Sequence, residues 1–371
     1  MKITGVETIP VSVPLRPRLM IRASRGTHST SPFLLVRVHT DAGIVGLGEV
    51  SCTPRWSGED HFTAQHFIQT ILAPLLIGQQ PSQIETLTAK LEQGIAGNYF
   101  TKAALEMALW DIFGKSVGLP VYRLLGGPVR EEITTKWSVS GLEPARAAEI
   151  ASWAISEGFH TVKVKVGIEP GADLARVKAV RNAVGGEIRV GVDANGGWSR
   201  AAALSTVERL KEYDIFFVEQ PLPASDIPGM AHLRHRAGLP VIADESVYTP
   251  QDALRLVRAE AADVFSVYVG KAGGIGPARR IVAIAEAAGM ACTIGSNLEM
   301  GVGTAAMIHL AMAARGVLSE DFPCDIIGPL YYEDDLLVEP LPVGKGKARP
   351  LERPGLGVEL DEKKIERYRV G

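Results

Sequence analysis

From Ile133 onward the chain repeats one local grammar: a short β-rich run, a turn, then an amphipathic helical stretch. The series opens with "ITTKWSVS", "PARAAEIASWAISEG", "HTVKVKVG" and "GADLARVKAVRNAVGG". Further β-rich runs follow at "IRVGVDAN", "IFFVEQPL", "PVIADES", "DVFSVYVG" and "ACTIGSN", and a last one lies near "PCDIIGPL". Strands that alternate with helices pair in parallel, because each crossover helix returns the chain to the same end of the sheet. About eight such runs in roughly 200 residues predict an α/β fold, a (β/α)7-8 barrel of TIM type at the small end of its size range. A doubly wound open sheet is the alternative. It calls for a glycine fingerprint after its first strand, and "WSVSGLEP" has none.

The residues before this series read differently. "MKITGVETIPVSVPL" and "SPFLLVRVHTDAGIVGLGEV" alternate like strands, the second folding on "TDAG" as a hairpin, and three helical patterns follow, each closed by glycine. Strands followed by helices predict an α+β domain over residues 1–128, ahead of the barrel at 129–340. The tail, 341–371, is rich in Pro, Gly and charge, and is expected to end in a short strand and helix that rejoin the first domain.

Bulk properties narrow the partners. A net charge of −3 suggests neither nucleic acid nor an anionic membrane, and no apolar run reaches the ~18 residues that span a bilayer. The N-terminus alternates like a strand and shows no secretory signal. Cys52, Cys292 and Cys324 are scattered without CxxC spacing and read as buried thiols of a cytoplasmic protein.

In a parallel barrel, functional groups gather at the C-terminal ends of strands. Lys163 and Lys165 stand two apart in "TVKVKVG", so alternation sends both ammonium groups to one face. The next three strands end in Asp193 of "VDAN", Glu219 of "VEQP" and Asp244 of "ADES". A single acid at a strand end is commonly a helix cap or a solvated loop residue. Three on consecutive strands converge on one mouth and need a cation to offset their repulsion, and all-oxygen ligation points to Mg²⁺, with Mn²⁺ possible. Like-charge repulsion from such a metal and from Lys163 would favour the neutral, basic form of Lys165. The alternative is a pair of snorkelling lysines that bridge to Asp193 and its neighbours.

This set resembles the enolase superfamily over nearly the whole chain. "AALEMALWDIFGKSVGLPVYRLLGG" and "PGLGVELD" resemble its capping-domain signatures, and "KVKVG", "VDANGGW", "FVEQPL", "IADES" and "KAGGI" its barrel motifs. Within it, the K-x-K motif is similar to that of the muconate-lactonizing subgroup, also called the mandelate racemase/muconate lactonizing enzyme family. The resemblance implies a capping domain built from the N-terminal part and the C-terminal tail. It also implies a Mg²⁺ site on Asp193, Glu219 and Asp244 and a small-molecule carboxylate substrate. Lys165 would remove the α-proton to leave an enediolate, with Lys163 in support, the Lys-plus-Mg²⁺ pattern being characteristic of this superfamily. Asn195, Lys271, Ser296, Glu299 and Asp325 are implied as substrate contacts, as is a homo-oligomer, dimer to octamer.

One departure shifts the reaction. The subgroup carries an opposing lysine three residues before the lysine of its K-x-GG turn, and in "SVYVGKAGG" that place is held by Tyr268, with Lys271 at the turn. A phenol of pKa about 10 is a poor base, though it can donate a proton or hydrogen bond, or simply fill space. One-base chemistry is favoured: syn β-elimination of water, or muconate-type cycloisomerisation. A two-base racemase or epimerase is the alternative, reached if Lys271 turns inward; a non-catalytic metabolite-binding barrel is a third reading. The segments "RPRLMIRASRGTHSTS" and "SCTPRWSGED" are expected to cover the mouth, with Arg25, Trp56 and Ser57 as contacts and Arg16, Arg18 and Arg22 as weaker ones.

Overall fold

The computed structural model describes residues 1–28 and 30–370. Ser29, inside the first covering segment, lies outside the described residues. Strands β1 (Ile3–Pro14), β4 (Thr30–Thr40) and β5 (Val45–Val50) form an antiparallel sheet in the order β1-β4-β5, and between the first two a small hairpin pairs β2 (Ile21–Ala23) with β3 (Gly26–His28). The helix Tyr99–Val117 packs against β5 at very close range. Gly46 and Gly48 allow this approach, since a Cβ at either would overlap the main-chain carbonyls of Ala108 and Ala104.

After the two-residue β6 (Ile133–Thr134) comes the series anticipated from the β-rich runs. Its strands are β7 (Trp137–Val139), β8 (Thr161–Lys165), β9 (Arg189–Asp193), β10 (Ile215–Glu219), β11 (Val241–Ala243), β12 (Val264–Val267) and β13 (Ala291–Ile294). All seven form one parallel sheet in strict sequence order, with a helix between each pair of successive strands. The run at "PCDIIGPL", expected as an eighth strand, is reduced to an isolated bridge between Thr135 and Cys324. Pro323 and Gly328 bracket it, and proline cannot donate to a ladder. The segment nevertheless bonds to both edges of the sheet. Lys136 N–H donates to Cys324 O at 2.9 Å, and Asp325 N–H to Ile294 O at 2.7 Å.

Two buried carboxylates tie the antiparallel region to the parallel one. Glu49 on β5 accepts from the N–H groups of Met300 and Gly303 at 2.8 and 2.9 Å, at the start of the helix Gly301–Ala313. Glu106 accepts from Ile275 and Gly276 N–H at 2.7 and 2.8 Å, at the start of the helix Ile275–Ala287. An acid at a helix N-terminus satisfies amides left without intrahelical partners. In the tail, the hairpin of β14 (Val343–Gly344) and β15 (Lys347–Ala348) pairs with β6, while Arg369 bridges to Val11 on β1. No helix among the described residues is long and apolar enough to cross a membrane.

Candidate active site

A cavity of about 140 Å³ opens over the C-terminal ends of the parallel strands, where Lys163, Lys165, Asn195, Tyr268, Ser296 and Asp325 all reach it. Its cover comes from the antiparallel region: Arg25 and Ile21 from the β2–β3 hairpin, and Arg55 and Trp56 from the turn of helix Pro54–Ser57. Both segments named from the sequence therefore contribute wall residues, the first as an ordered hairpin. Ser57 faces away and bonds within its own loop to Thr53 O at 3.1 Å. Arg16 bonds Tyr332 O, Arg18 lies over the Trp153 ring and Arg22 pairs with Glu143, so none of the three lines the cavity.

Alternation along β8 explains the lysine pair. Val162 and Val164 are fully buried on one face, and the lysines point to the other. Lys163 Nζ donates to both oxygens of Glu219 at 3.1 Å and to Asp325 Oδ2 at 2.8 Å. Lys165 Nζ donates to Asp193 Oδ2 at 2.6 Å and to Asn195 Oδ1 at 3.0 Å. Burial alone would neutralise Lys163, but Asp325, Glu219 and Asp193 outweigh it and hold the ammonium well above the ordinary lysine range. Asp193 titrates low: burial raises it, and Lys165 and Lys163 more than reverse that. Glu219 is pushed up to about 8 by burial, with Lys163 opposing and Asp193, Asp325 and Asp244 adding repulsion.

Across the cavity the arrangement differs. The Tyr268 ring is stacked on Trp56 with centroids 5.5 Å apart and planes at 8°, and its hydroxyl donates to Asp244 Oδ2 at 2.7 Å. Burial first, then Asp244 and Glu219, drive the phenol well above its usual value, so it stays protonated. Gly295 makes room for it, because a Cβ there would overlap Tyr268 Cε1. Lys271, expected as a substrate contact, does not line the cavity. It is wholly buried, with Nζ 4.2 Å from the Tyr268 ring centroid, and donates to Asp244 Oδ1 at 2.5 Å, Asp244 O at 2.7 Å and Ser266 O at 2.9 Å.

Asp193, Glu219 and Asp244 are fully buried at the ends of adjacent strands, and Glu219 pairs in register with Asp193. Among the described residues, no three acidic, histidine or cysteine side chains converge closely enough to hold a metal as they stand. Each of these carboxylates is instead engaged by an ammonium group, and Asp244 also by a phenol. The donor chemistry fits a hard divalent cation all the same: three oxygen-only carboxylates at the ends of successive strands, with Glu219 raised first by burial and further by its acidic neighbours.

Lys136 and Glu245, outside the candidate residues named from the sequence, also stand at the site. Lys136, 1% exposed, lies 3.0 Å from Asp325 Oδ2, so that one oxygen faces two ammonium groups. A lysine inside "ITTKWSVS" carries the same signal as the pair in "TVKVKVG". Glu245 accepts from Trp56 Nε1 and Asn195 Nδ2, both at 3.1 Å. Ser296 Oγ donates to Glu299 Oε2 at 2.5 Å, which puts Glu299 behind the wall and Ser296 in it.

A parallel α/β sheet with lysines facing buried carboxylates at its C-terminal end defines a class of enzyme, and comparison with known proteins identifies it. Residues 3–126 match the mandelate racemase / muconate lactonizing enzyme N-terminal domain, and residues 145–364 the enolase C-terminal domain-like family. Muconate cycloisomerase 1 of Rhodococcus opacus is 38% identical over 97% of this chain and 96% of its own length. A crystal structure of N-succinyl Arg/Lys racemase from Bacillus cereus superposes with a TM-score of 0.95 at 34% identity, covering 100% of this chain and 99% of the other. A dipeptide epimerase from Enterococcus faecalis, solved with Mg and the dipeptide L-Leu-L-Tyr, gives 0.92 at 31% identity, covering 97% and 100%. The chain belongs to the enolase superfamily, in its muconate-lactonizing subgroup, and is an enzyme of that family.

Proposed function

We propose that this enzyme removes the α-proton of a small carboxylate from one side only, with Lys165 as the base. The observation that carries this reading is the asymmetry of the cavity: a lysine reaches it on one wall, and a protonated tyrosine hydrogen-bonded to Asp244 stands on the other. In this reading the sheet and its bridging segment act as a (β/α) barrel over residues 129–340. Residues 1–128 cap it together with the returning tail, 341–371.

Asp193, Glu219 and Asp244 are the residues that would hold Mg²⁺, or Mn²⁺. When bound, the ion supplies electrostatic stabilisation of the charge that develops on the substrate carboxylate. Lys163, held as an ammonium between Glu219 and Asp325, adds fixed positive charge on the same side. Lys165 Nζ takes the α-proton, and the electron pair moves into the carboxylate to give an enediolate. For a β-hydroxy acid, the same ammonium then returns the proton to the departing hydroxyl on the same face, releasing water in a syn elimination. For a muconate-type lactone, addition and its reverse use the same proton site, so cycloisomerisation needs no second base. Ser296, Asn195, Asp325, Arg25 and Trp56 bound the substrate.

A two-base racemisation, as the names of the racemase and epimerase relatives would suggest, needs a base opposite Lys165. Lys271 lies under the Tyr268 ring on that side, and all three of its N–H donors are already taken. The thiols of Cys52, Cys292 and Cys324 are unpaired and buried, which suits the cytoplasm. The homo-oligomer, dimer to octamer, is read from family habit and is checked by sedimentation.

The test is incubation in D₂O with Mg²⁺ and a panel of β-hydroxy acids, cis,cis-muconate and N-acyl amino acids. We expect water loss or lactone interconversion with deuterium delivered to one face, abolished by EDTA. Racemisation with solvent deuterium in both enantiomers would overturn the one-base reading. No exchange with any member, with or without EDTA, would sink the reading as a whole.

A further inference from the structure

Glu245 follows Asp244 directly, yet its carboxylate points to a different set of partners. Its side chain is 2% exposed, and a single oxygen, Oε1, gathers three groups. Trp56 Nε1 and Asn195 Nδ2 each donate to it at 3.1 Å, and Arg25 Nε stands 3.8 Å away. Trp56 and Arg25 belong to the two separate segments that cover the cavity. The hairpin also reaches Asn195 itself, through Ser24 Oγ and Arg25 Nε, which donate to its main-chain oxygen at 3.3 and 3.4 Å.

Asn195 connects this cluster to the base. Its Oδ1 accepts from Lys165 Nζ at 3.0 Å while its Nδ2 donates to Glu245. With Lys165 protonated and Glu245 ionised, the ammonium can only donate and the carboxylate only accept, so the two neighbours together allow one orientation of the amide. Turning the amide over would set Nδ2 against the ammonium and Oδ1 against the carboxylate, losing both bonds. The backbone of Asn195 is left-handed, with φ of 44°, a conformation that asparagine tolerates better than most residues.

We propose that Glu245 is a positioning residue: through Asn195 it aims Lys165, and through Trp56 and Arg25 it latches both covering segments to the same point. Closure of the cover and alignment of the base are then one event, because both are read by one carboxylate oxygen. This inference rests on Lys165 being the base, but the latch itself can be measured without a substrate.

Hydrogen–deuterium exchange of the full chain tests it, following peptides over residues 20–27 and 51–59 in Glu245→Ala, Glu245→Gln and Trp56→Phe. In Glu245→Ala both segments should exchange roughly fivefold faster or more, the size expected from losing a shared charged acceptor. Glu245→Gln keeps an acceptor oxygen and should restore most of the protection. Trp56→Phe keeps a ring to stack on Tyr268 but has no N–H, so only 51–59 should loosen. Wild-type rates in both segments of Glu245→Ala would overturn the latch, and so would a uniform rise across the whole sheet, which is the mark of plain destabilisation. If Glu245→Ala does not fold, the Trp56→Phe pattern decides. A crystal structure of Glu245→Ala in which Asn195 Oδ1 still accepts from Lys165 overturns the positioning role. Proton exchange on the carboxylate panel fails or succeeds independently of these rates.

Discussion

Lys165 and Lys271 have the same chemistry and similar company, and they are not equivalent. Each donates to a carboxylate at a strand end, Lys165 to Asp193 at 2.6 Å and Lys271 to Asp244 at 2.5 Å. Lys271 spends its other two donors on main-chain carbonyls, which cannot move aside, and its side chain is 1% exposed. Lys165 spends one further donor on the Asn195 side chain, and at 16% exposure it still meets the cavity. An ammonium with three fixed acceptors is a structural cross-link. One with two side-chain acceptors and a free direction can exchange a proton with a ligand. The count and kind of acceptors, more than burial or the partner's charge, separate the two roles.

The contrast breaks first at Lys165. Lys165→Ala should lower α-proton exchange by roughly 10²–10⁴-fold, the range for removing a general base, while stability falls less than it does in Lys271→Met, because Asp193 keeps Lys163 at 3.6 Å as a charged partner. Lys271→Met should do the reverse. It strands Asp244 as a buried charge with only the Tyr268 hydroxyl left on its side chain, at a cost of about 3–5 kcal/mol in chemical unfolding. Any residual folded Lys271→Met should still exchange α-protons from the Lys165 side. If the folded variant loses exchange as completely as Lys165→Ala, the two lysines share the chemistry and the one-sided reading fails.

How far this contrast could be read in the chain depends on where each residue sits relative to a strand. The period of two holds inside β8, so "TVKVKVG" announced that Lys163 and Lys165 share a face, and the structure has both on the cavity. Asp193 and Glu219 close β9 and β10, and such ends were legible for the same reason. Asp244 and Glu245 lie beyond Ala243, the last residue of β11, where the pleat no longer dictates direction. Two adjacent acids therefore turn to different partners, and alternation could not say which. Lys271 is a further case: it turns into the core and away from the cavity because the short helix Val269–Ala272 carries the ammonium back beneath Tyr268. The covering residues Trp56 and Arg25 owe their places to docking between regions far apart in sequence, such as the ties through Glu49 and Glu106, and no local pattern encodes them.

A milder perturbation moves the wall without touching any ammonium. Gly295→Ala places a methyl against Tyr268 Cε1 and Ser266 Oγ, so the ring must shift, and overpacking of this kind costs about 1–3 kcal/mol. Because Trp56 stacks on the same ring, its fluorescence should change with the shift. An unchanged emission spectrum together with unchanged stability would mean that the Tyr268 wall is softer than the packing implies.

The smallest effect is expected from Tyr268→Phe, and it sharpens the comparison most. The substitution keeps the ring between Trp56 and Lys271 and removes only the hydroxyl that donates to Asp244. If that phenol is a wall and a support for Asp244, turnover should fall by less than about tenfold, some 1.4 kcal/mol. Lys271 continues to hold the other oxygen of Asp244, so the carboxylate keeps a charged partner. A loss of several hundredfold, with the thermal midpoint unchanged, would instead assign the proton to Tyr268 and make the second face chemically active. The phenol's high pKa argues for the smaller number: a group held protonated by burial and by Asp244 is a poor base, and donating to a fixed carboxylate leaves its one proton already engaged.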